Sequence, residues 1–156
     1  MKNLIHKVNS LLKQKRITVS VAESCSGGLL SYLLTKIPGS SKYFILGIVA
    51  YSNMAKQTVL KIPKKTLLKH GAVSKDVCLK MAKAVRIISK SDYGIGITGI
   101  AGPTGDTQDK SIGTVFISLS SEKVTLCRKF RFSGNRETVV LKTVTASLKL
   151  IKKYIA

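Results

Sequence analysis

The 156-residue sequence contains no tryptophan, three prolines, three cysteines and only seven acidic residues. No apolar run reaches the roughly 18 to 20 residues that a membrane-spanning helix requires, and the opening MKNLIHKVNSLLKQKR lacks the small-residue cleavage site of a secretory signal. The cysteines, Cys25, Cys78 and Cys127, are odd in number and too far apart for a disulfide framework or a CxxC-type zinc site. These absences predict a cytoplasmic protein with no membrane attachment, whose cysteines are reduced and mostly buried.

The scarcity of acidic residues leaves a formal net charge of +20. Clustered Lys and Arg would favour nucleic acid, because they release counterions from phosphates. Here the excess is mostly lysine, spread along the chain as at Lys13, Lys64, Lys80 and Lys152, with no Arg-rich block. We therefore interpret it as a solvated face and expect no specific nucleic-acid partner, so that duplex DNA binds weakly, without sequence preference, and dissociates as salt rises.

The hydrophobic pattern predicts strands that alternate with helices in a single domain, residues 1–156. Leu4, Val8, Leu11 and Leu12 recur at helical spacing, which predicts an opening helix from Lys2 to Lys15. Further helices are predicted after Gly28, after Asn53 or Ser52, after Pro63, after Ser74 and from Asn135 to the end. Strands are predicted at ITVSVA (17–22), at YFILGIVAY (43–51, as a buried strand), before Gly99, and as a hairpin joined at 120–123. This order predicts an α/β protein, a three-layer α/β/α sandwich with a mixed central sheet.

Two strand ends run into glycine-rich turns, residues 22–28 and 98–105. In open α/β sheets ligands bind beyond the carboxyl ends of the strands, so both loops are candidates for one site. Neither loop matches the GxxxxGK[ST] phosphate loop or the GxSxG serine elbow. GIGITG contains a GxG, but within a strand, which argues against a dinucleotide-binding fingerprint.

The first loop carries three candidate nucleophiles, Ser24, Cys25 and Ser26, at a strand-to-helix turn. A serine hydroxyl needs an adjacent base. Neither His6, in the opening helix, nor His70, at a helix end, suits that role, which leaves a lysine or a carboxylate. The candidates near the predicted loops are Glu23, Asp106, Asp109 and Lys56. Lys56 is one candidate, because a desolvated ammonium has a lowered pKa and can then accept a proton. No His/Cys/Asp/Glu cluster has metal-ligand spacing, so no metal is expected.

Five motifs in register resemble the C-terminal domain of the competence-damage-inducible CinA family. They are AESCSGG, GSSKYFILGIVAYSNMAK, HGAVS, GITGIAGPTG and GTVFISL, and the resemblance covers nearly the whole chain, from about residue 17 to residue 151. Stand-alone members of this family are nicotinamide-nucleotide amidases. The resemblance therefore implies hydrolysis of the carboxamide of nicotinamide mononucleotide to nicotinate mononucleotide and ammonia, in pyridine-nucleotide salvage and without a cofactor.

The resemblance also implies the residues of the site. The polar residues of the family match Ser24, Ser41, Tyr51 and Lys56, where a serine would attack, Lys56 would be the base, and Tyr51 would orient the groups or relay the proton. Either Ser24 or Ser41 could be the nucleophile, and Cys25 is a third candidate. The expected substrate-binding residues are Glu23, Ser26, Gly27, Gly28, Thr98, Gly99, Gly102 and Arg136.

Three further points stay open from the sequence. Glu23 could anchor a sugar hydroxyl or brace the loop. Val140 and Leu141 stand where relatives commonly carry arginines in the closing helix, so the alternative to an enzyme is a non-catalytic nucleotide-binding or interaction module of the same fold. The resemblance implies a homo-oligomer, most simply a dimer.

Overall fold

The computed structural model describes residues 1–156, which form six α-helices and five β-strands. The predicted opening helix is confirmed from Lys2 to Lys15, and the hairpin is confirmed as an antiparallel pair in which Ser120 opposes Thr125. A short 3-10 helix, Ser40–Lys42, precedes the second strand. In chain order the elements are α1 Lys2–Lys15, β1 Val19–Glu23, α2 Leu29–Thr35, β2 Phe44–Val49, α3 Asn53–Thr58, α4 Lys64–His70, α5 Lys75–Ser89, β3 Tyr93–Gly99, β4 Thr114–Ser120, β5 Thr125–Arg131 and α6 Arg136–Ile155.

The five strands form one sheet in the order β2-β1-β3-β4-β5. β2, β1 and β3 are parallel, whereas β3, β4 and β5 are antiparallel neighbours. The predicted mixed sheet is therefore confirmed. In its parallel half the carboxyl ends of three strands lie at the same end of the sheet. This is the end at which α/β proteins bind ligands.

Helices cover both faces of this sheet, as the predicted three-layer arrangement requires. On one face, α1, α2 and α6 bury a cluster of 22 residues, among them Leu12, Leu34 and Leu148. On the other face, α4 and α5 bury a cluster of eight residues that includes Leu67 and Met81. The larger cluster fixes the positions of β1, β3 and β4, whose inward side chains contribute to it.

The GxG in β3 has a packing role. An added Cβ would lie 2.0 Å from the Ala82 carbonyl oxygen at Gly94 and 2.5 Å from the Cys78 carbonyl oxygen at Gly96, both in the backbone of α5. Only glycine leaves room for α5 to approach the strand so closely. These glycines therefore place α5 directly against the strand that leads into the second glycine loop.

β2 differs from its prediction as a buried strand. It lies at the edge of the sheet, and its side chains alternate between half-buried and exposed, with Ile45 47% and Val49 49% exposed. The continuous apolar run suggested burial on both faces, but the short α2 covers only part of the neighbouring face. The prediction failed because an apolar run cannot distinguish a central strand from an edge strand with an uncovered face.

Charge is distributed as a solvated lysine surface, with little pairing. One pair of basic and acidic side chains lies within salt-bridge distance, His70 Nδ1 and Asp76 Oδ2 at 3.5 Å. Buried basic side chains are rare, and Lys56 is the one lysine in the buried set. No helix is both long and apolar enough to cross a membrane.

Candidate active site

A cleft of about 250 Å³ opens at the carboxyl ends of the parallel strands. The turn after β1 contributes Ser24 and Cys25, and the segment after β2 contributes Tyr51 and Lys56. The loop after β3 closes the opposite wall, from residue 98 to residue 105. The two glycine-rich loops therefore meet at one site, as expected from the topology.

Lys56 lies at the base of this cleft. Ser52 Oγ accepts a hydrogen bond of 3.0 Å from the Ala55 backbone N–H and so caps α3. This short helix directs the Lys56 side chain inward, where it is only 1% exposed. Lys56 Nζ donates to Ser24 Oγ at 3.0 Å, to the Ala50 carbonyl at 2.8 Å and to the Tyr51 carbonyl at 3.2 Å.

The surroundings of Lys56 lower the pKa of its ammonium below the model-compound value of 10.5. Burial is the largest cause, because it removes the charged form from water. A coulombic interaction with Cys25 acts in the opposite direction. Lys56 therefore has the two properties of a general base, a lowered pKa and hydrogen-bond contact with a hydroxyl.

Glu23 holds the turn that presents Ser24. Its side chain is fully buried, and its carboxylate accepts hydrogen bonds from the backbone N–H groups of Gly28 at 3.1 Å, Leu30 at 3.2 Å and Ser31 at 2.8 Å. The Ser31 hydroxyl donates a fourth bond, at 2.6 Å. This negative charge stabilises the amino end of α2. Of the two roles open from the sequence, the geometry favours bracing over contact with a sugar hydroxyl.

Cys25 lies next to Ser24 but is a poor nucleophile. Burial raises the pKa of its thiol to about 12, so the thiol is protonated at neutral pH. Its Sγ packs against the second glycine loop, where a Cβ on Gly99 would be only 3.0 Å away. Gly99 is therefore required for the contact between the two loops.

Arg136 connects two walls of the cleft at its mouth. Its guanidinium donates to the Gly102 carbonyl through Nη1 at 2.8 Å and to the Tyr51 hydroxyl through Nη2 at 2.6 Å. Arg136 is the first residue of α6, and Tyr51 is 57% exposed. The entrance of the cleft is thus cationic.

The loop after α4 forms a further wall that the site predictions did not include. Ala72 and Val73 line the cleft, and the Thr98 hydroxyl donates to the Ala72 carbonyl at 2.9 Å. Thr104 also lines it. HGAVS is one of the motifs that carry the family resemblance, but the apolar side chains of Ala72 and Val73 give no chemical signal of a site.

The structure brings together some of the predicted site residues and not others. Ser24, Tyr51, Lys56, Thr98, Gly99, Gly102 and Arg136 line the cleft. Ser26, Gly27 and Gly28 lie in the first loop but do not line it, and the buried Ser26 hydroxyl has no hydrogen-bond partner.

Ser41 does not fit the expected catalytic group within this chain. It is exposed in the 3-10 helix before β2, at the amino end of that strand, whereas the cleft lies at the carboxyl ends. A six-residue parallel strand separates the two ends. The resemblance implies that Ser41 joins Tyr51 and Lys56, but within this chain β2 runs between them. Of the two serines considered, only Ser24 contacts Lys56.

The cleft contains a buried lysine that contacts a serine. Two glycine loops, a tyrosine and an arginine complete its lining. No group of three or more His, Cys, Asp or Glu side chains is placed to hold a metal ion. A lysine with a lowered pKa beside a serine hydroxyl can activate that oxygen for attack on a carbonyl carbon. The arrangement therefore suits acyl-transfer chemistry on a small anionic substrate.

Comparisons with known proteins agree with this architecture. The profile of the CinA C-terminal domain matches residues 1–155. The chain is 46% identical over 150 residues to a CinA-like protein of Syntrophus aciditrophicus, covering 96% of the chain and 36% of that protein. It is 44% identical over 146 residues to a CinA-like protein of Koribacter versatilis, covering 94% and 35%. The chain thus spans about a third of the length of these curated relatives.

Solved structures match over nearly the full length of both chains. The competence or damage-inducible protein from Enterobacter asburiae superposes with a TM-score of 0.94 at 33% identity, covering 98% of this chain and 96% of its own. The competence/damage inducible protein CihA from Agrobacterium tumefaciens gives 0.92 at 33% identity, covering 96% and 92%. The profile match, the relatives and the shared fold lead to one conclusion: this chain belongs to the CinA C-terminal domain family.

Proposed function

We propose that this protein hydrolyses the carboxamide of nicotinamide mononucleotide to nicotinate mononucleotide and ammonia. The observation that carries the chemistry is the 3.0 Å contact between Lys56 Nζ and Ser24 Oγ in a buried environment. The resemblance to stand-alone amidases of the family supplies the substrate. An amide carbonyl is a suitable electrophile for a serine that has a lysine as its base.

In the proposed reaction the neutral amine of Lys56 accepts the proton of the Ser24 hydroxyl as Oγ bonds to the carboxamide carbon. The resulting ammonium then donates a proton to the departing nitrogen as the C–N bond breaks, which releases ammonia. Water attacks the remaining ester with Lys56 again as base. The Lys56 ammonium returns that proton to Ser24 Oγ as the ester C–O bond breaks, which restores the serine and releases nicotinate mononucleotide. One group thus alternates between base and acid, which the lowered pKa of Lys56 favours.

Two features of the cleft suit the negative charges of this reaction, which are the oxyanion that forms at the carboxamide and the phosphate of the substrate. The backbone N–H groups of Ala101 and Gly102 donate to no group of the chain, although both residues line the cleft. Such groups can stabilise an oxyanion or a phosphate. Arg136, at the entrance, offers a guanidinium for the substrate phosphate, and it also fixes the Tyr51 hydroxyl. We assign Tyr51 to orientation, since its carbonyl accepts from Lys56 while its hydroxyl lies at the mouth.

The test is ammonia release from purified protein with nicotinamide mononucleotide, with the acid product identified by chromatography. Nicotinamide riboside, which lacks the phosphate, serves as the matched substrate control and should be turned over less efficiently. The Ser24→Ala variant should bind the substrate but release ammonia far more slowly than the wild-type protein. Tight binding by the wild-type protein with no ammonia release would instead support a non-catalytic nucleotide-binding module.

We also propose that the protein is a dimer. Ile45 and Val49 expose apolar surface on the edge strand β2, and Tyr32 of the neighbouring α2 is also exposed. An open strand edge with apolar side chains is a suitable surface for a second copy. Light scattering should give twice the chain mass at micromolar concentration, and a strict monomer would contradict this.

A further inference from the structure

A second cavity, of about 660 Å³, lies away from the candidate active site, between β5 and α6. Its floor is apolar and consists of Phe130 and Phe132, whose rings stack at 5.3 Å, together with Leu141, Ala146 and Leu150. We call this cavity the β5–α6 groove. Its volume lies within the range of specific binding sites.

The groove exists because the sheet extends beyond its helical cover. Phe130 opposes Val115 and Arg128 opposes Ile117 across the β4–β5 pair, and both β4 residues are buried in the larger core cluster. The side chains of Phe130 and Arg128 therefore point to the same face as α6. α6 packs on β4, whereas the helix that packs on β5 is α5, on the opposite face of the sheet.

The α6 wall has the dimensions of a helix-binding surface. The α6 residues that line it recur at helical spacing, at 138, 141, 142, 145, 146, 149, 150 and 153. From Thr138 to Lys153 this stripe is about 22 Å long, at 1.5 Å per residue. A second helix of about 15 residues could therefore lie beside α6 and over β5, at the usual spacing of 8–10 Å between helices.

The rim of the groove is entirely cationic. Arg128, Lys142, Lys149 and Lys153 line it, and no acidic residue does. None of these four side chains lies within salt-bridge distance of a carboxylate. Lys142 donates to the Ser133 carbonyl at 2.8 Å, whereas Arg128 and Lys149 are exposed and make no hydrogen bond through their side chains.

The positive charge of the rim indicates which kind of partner the β5–α6 groove can bind. A second copy of the chain would bring further cations to the rim, because the sequence has 27 Lys and Arg against seven Asp and Glu. The aromatic and aliphatic floor of the groove requires an apolar surface on the partner. Leu141 is 37% exposed, so no apolar surface of this chain covers it fully. An acidic amphipathic helix meets both requirements.

We propose that the β5–α6 groove binds an amphipathic helix of another protein, with an apolar face flanked by acidic residues. Leucine-like side chains at i, i+3, i+4 and i+7 would cover Phe130, Phe132 and Leu141. Glutamate or aspartate side chains on the flanks would pair with Arg128 on one side and Lys149 on the other. This surface is separate from the candidate active site and does not depend on the proposed reaction.

The probe for this proposal is a fluorescein-labelled helical peptide of about 16 residues, with leucine on one face and glutamate on its flanks. We expect micromolar binding by fluorescence anisotropy, weakened by added salt. A peptide with lysine in place of glutamate should bind at least about tenfold more weakly. The double variant Arg128→Glu/Lys149→Glu should weaken binding of the glutamate peptide by at least about tenfold, and Leu141→Asp should do so as well.

The matched control is Lys64→Glu/Lys65→Glu, which changes the net charge equally at exposed positions of α4, on the other face of the sheet. This variant should bind the glutamate peptide like the wild-type protein. Circular dichroism of every variant establishes that the fold is retained. Equal binding of the two peptides, or equal losses in the two charge-reversal variants, would overturn the proposal. Dissociation of a dimer by Leu141→Asp would also overturn it, because the groove would then be an interface between copies.

Discussion

Replacing Lys56 with methionine tests the proposed base directly. Methionine keeps most of the length and volume of the lysine stem but cannot accept a proton. In the proposed reaction the change removes general-base assistance, which is typically worth about 10²- to 10⁴-fold in turnover. Wild-type ammonia release should rise with pH as the Lys56 ammonium loses its proton, and the residual activity of Lys56→Met should lack that rise.

The same variant gives a stability signature that does not depend on the substrate. Below the folded-state pKa of Lys56 both the folded and unfolded chains hold the proton, so the wild-type and variant stabilities differ by a constant. Between that lowered pKa and 10.5 the unfolded chain still holds the proton but the folded chain does not. Over this window the wild-type free energy of unfolding gains up to about 1.4 kcal/mol per pH unit relative to the variant.

Urea unfolding of both proteins at a series of pH values from neutrality to about 10 measures this difference. Lys64→Met, at an exposed position of α4, is the control and should run parallel to the wild type. If the wild-type and Lys56→Met stabilities also run parallel over the whole range, the pKa of Lys56 is not lowered. The lysine-assisted mechanism would then lose its physical basis, even if the variant were inactive.

Four further predictions concern the site and its support. Ser24→Ala should reduce ammonia release about as much as Lys56→Met, and the double variant should cost little more because the two residues act as a unit; multiplicative losses would contradict this. Cys25→Ala should keep most activity, because burial holds that thiol protonated, and an inactive, folded Cys25→Ala would favour a thiolate instead. Gly96→Ala should lower the free energy of unfolding by about 3 kcal/mol, measured by urea denaturation, because its Cβ would lie 2.5 Å from the Cys78 carbonyl oxygen of α5. Turnover should be unchanged by a chelator, because Lys56 and Ser24 provide both base and nucleophile; loss of activity that zinc or magnesium restores would contradict this.

Much of the fold follows from local chemistry in the sequence. Ser74 predicts the start of α5 because its hydroxyl accepts from the Val77 backbone N–H, and Gly71 predicts the end of α4 because it adopts a positive φ of 73°. Such signals act over a few residues, so they can be read directly. The position of β2 at the sheet edge depends on contacts with distant elements, and no signal within the strand reports it.

The same distinction between local signals and contacts with distant elements applies to the candidate site. Strand ends and glycine loops indicated where the cleft would lie, because topology alone brings them together. The burial of Lys56 depends on the direction of α3 relative to Ser24, 32 residues earlier in the chain. The distant position of Ser41 and the bracing role of Glu23 likewise depend on three-dimensional placement. Sequence spacing cannot predict that the Ser24 hydroxyl, and not the Ser41 hydroxyl, contacts Lys56.

The near absence of ion pairs on this lysine-rich surface has a consequence for how the protein responds to its solvent. At +20, counted with neutral histidines, the folded chain repels itself, and no lysine or arginine lies within salt-bridge distance of a carboxylate to offset that repulsion. Salt at 0.1 M screens electrostatic interactions beyond about 10 Å. It therefore weakens the repulsion between the cations, whereas there are few attractive ion pairs for it to weaken. Ionic strength should therefore act as a stabiliser, and dilute buffer is the medium in which this protein unfolds most easily.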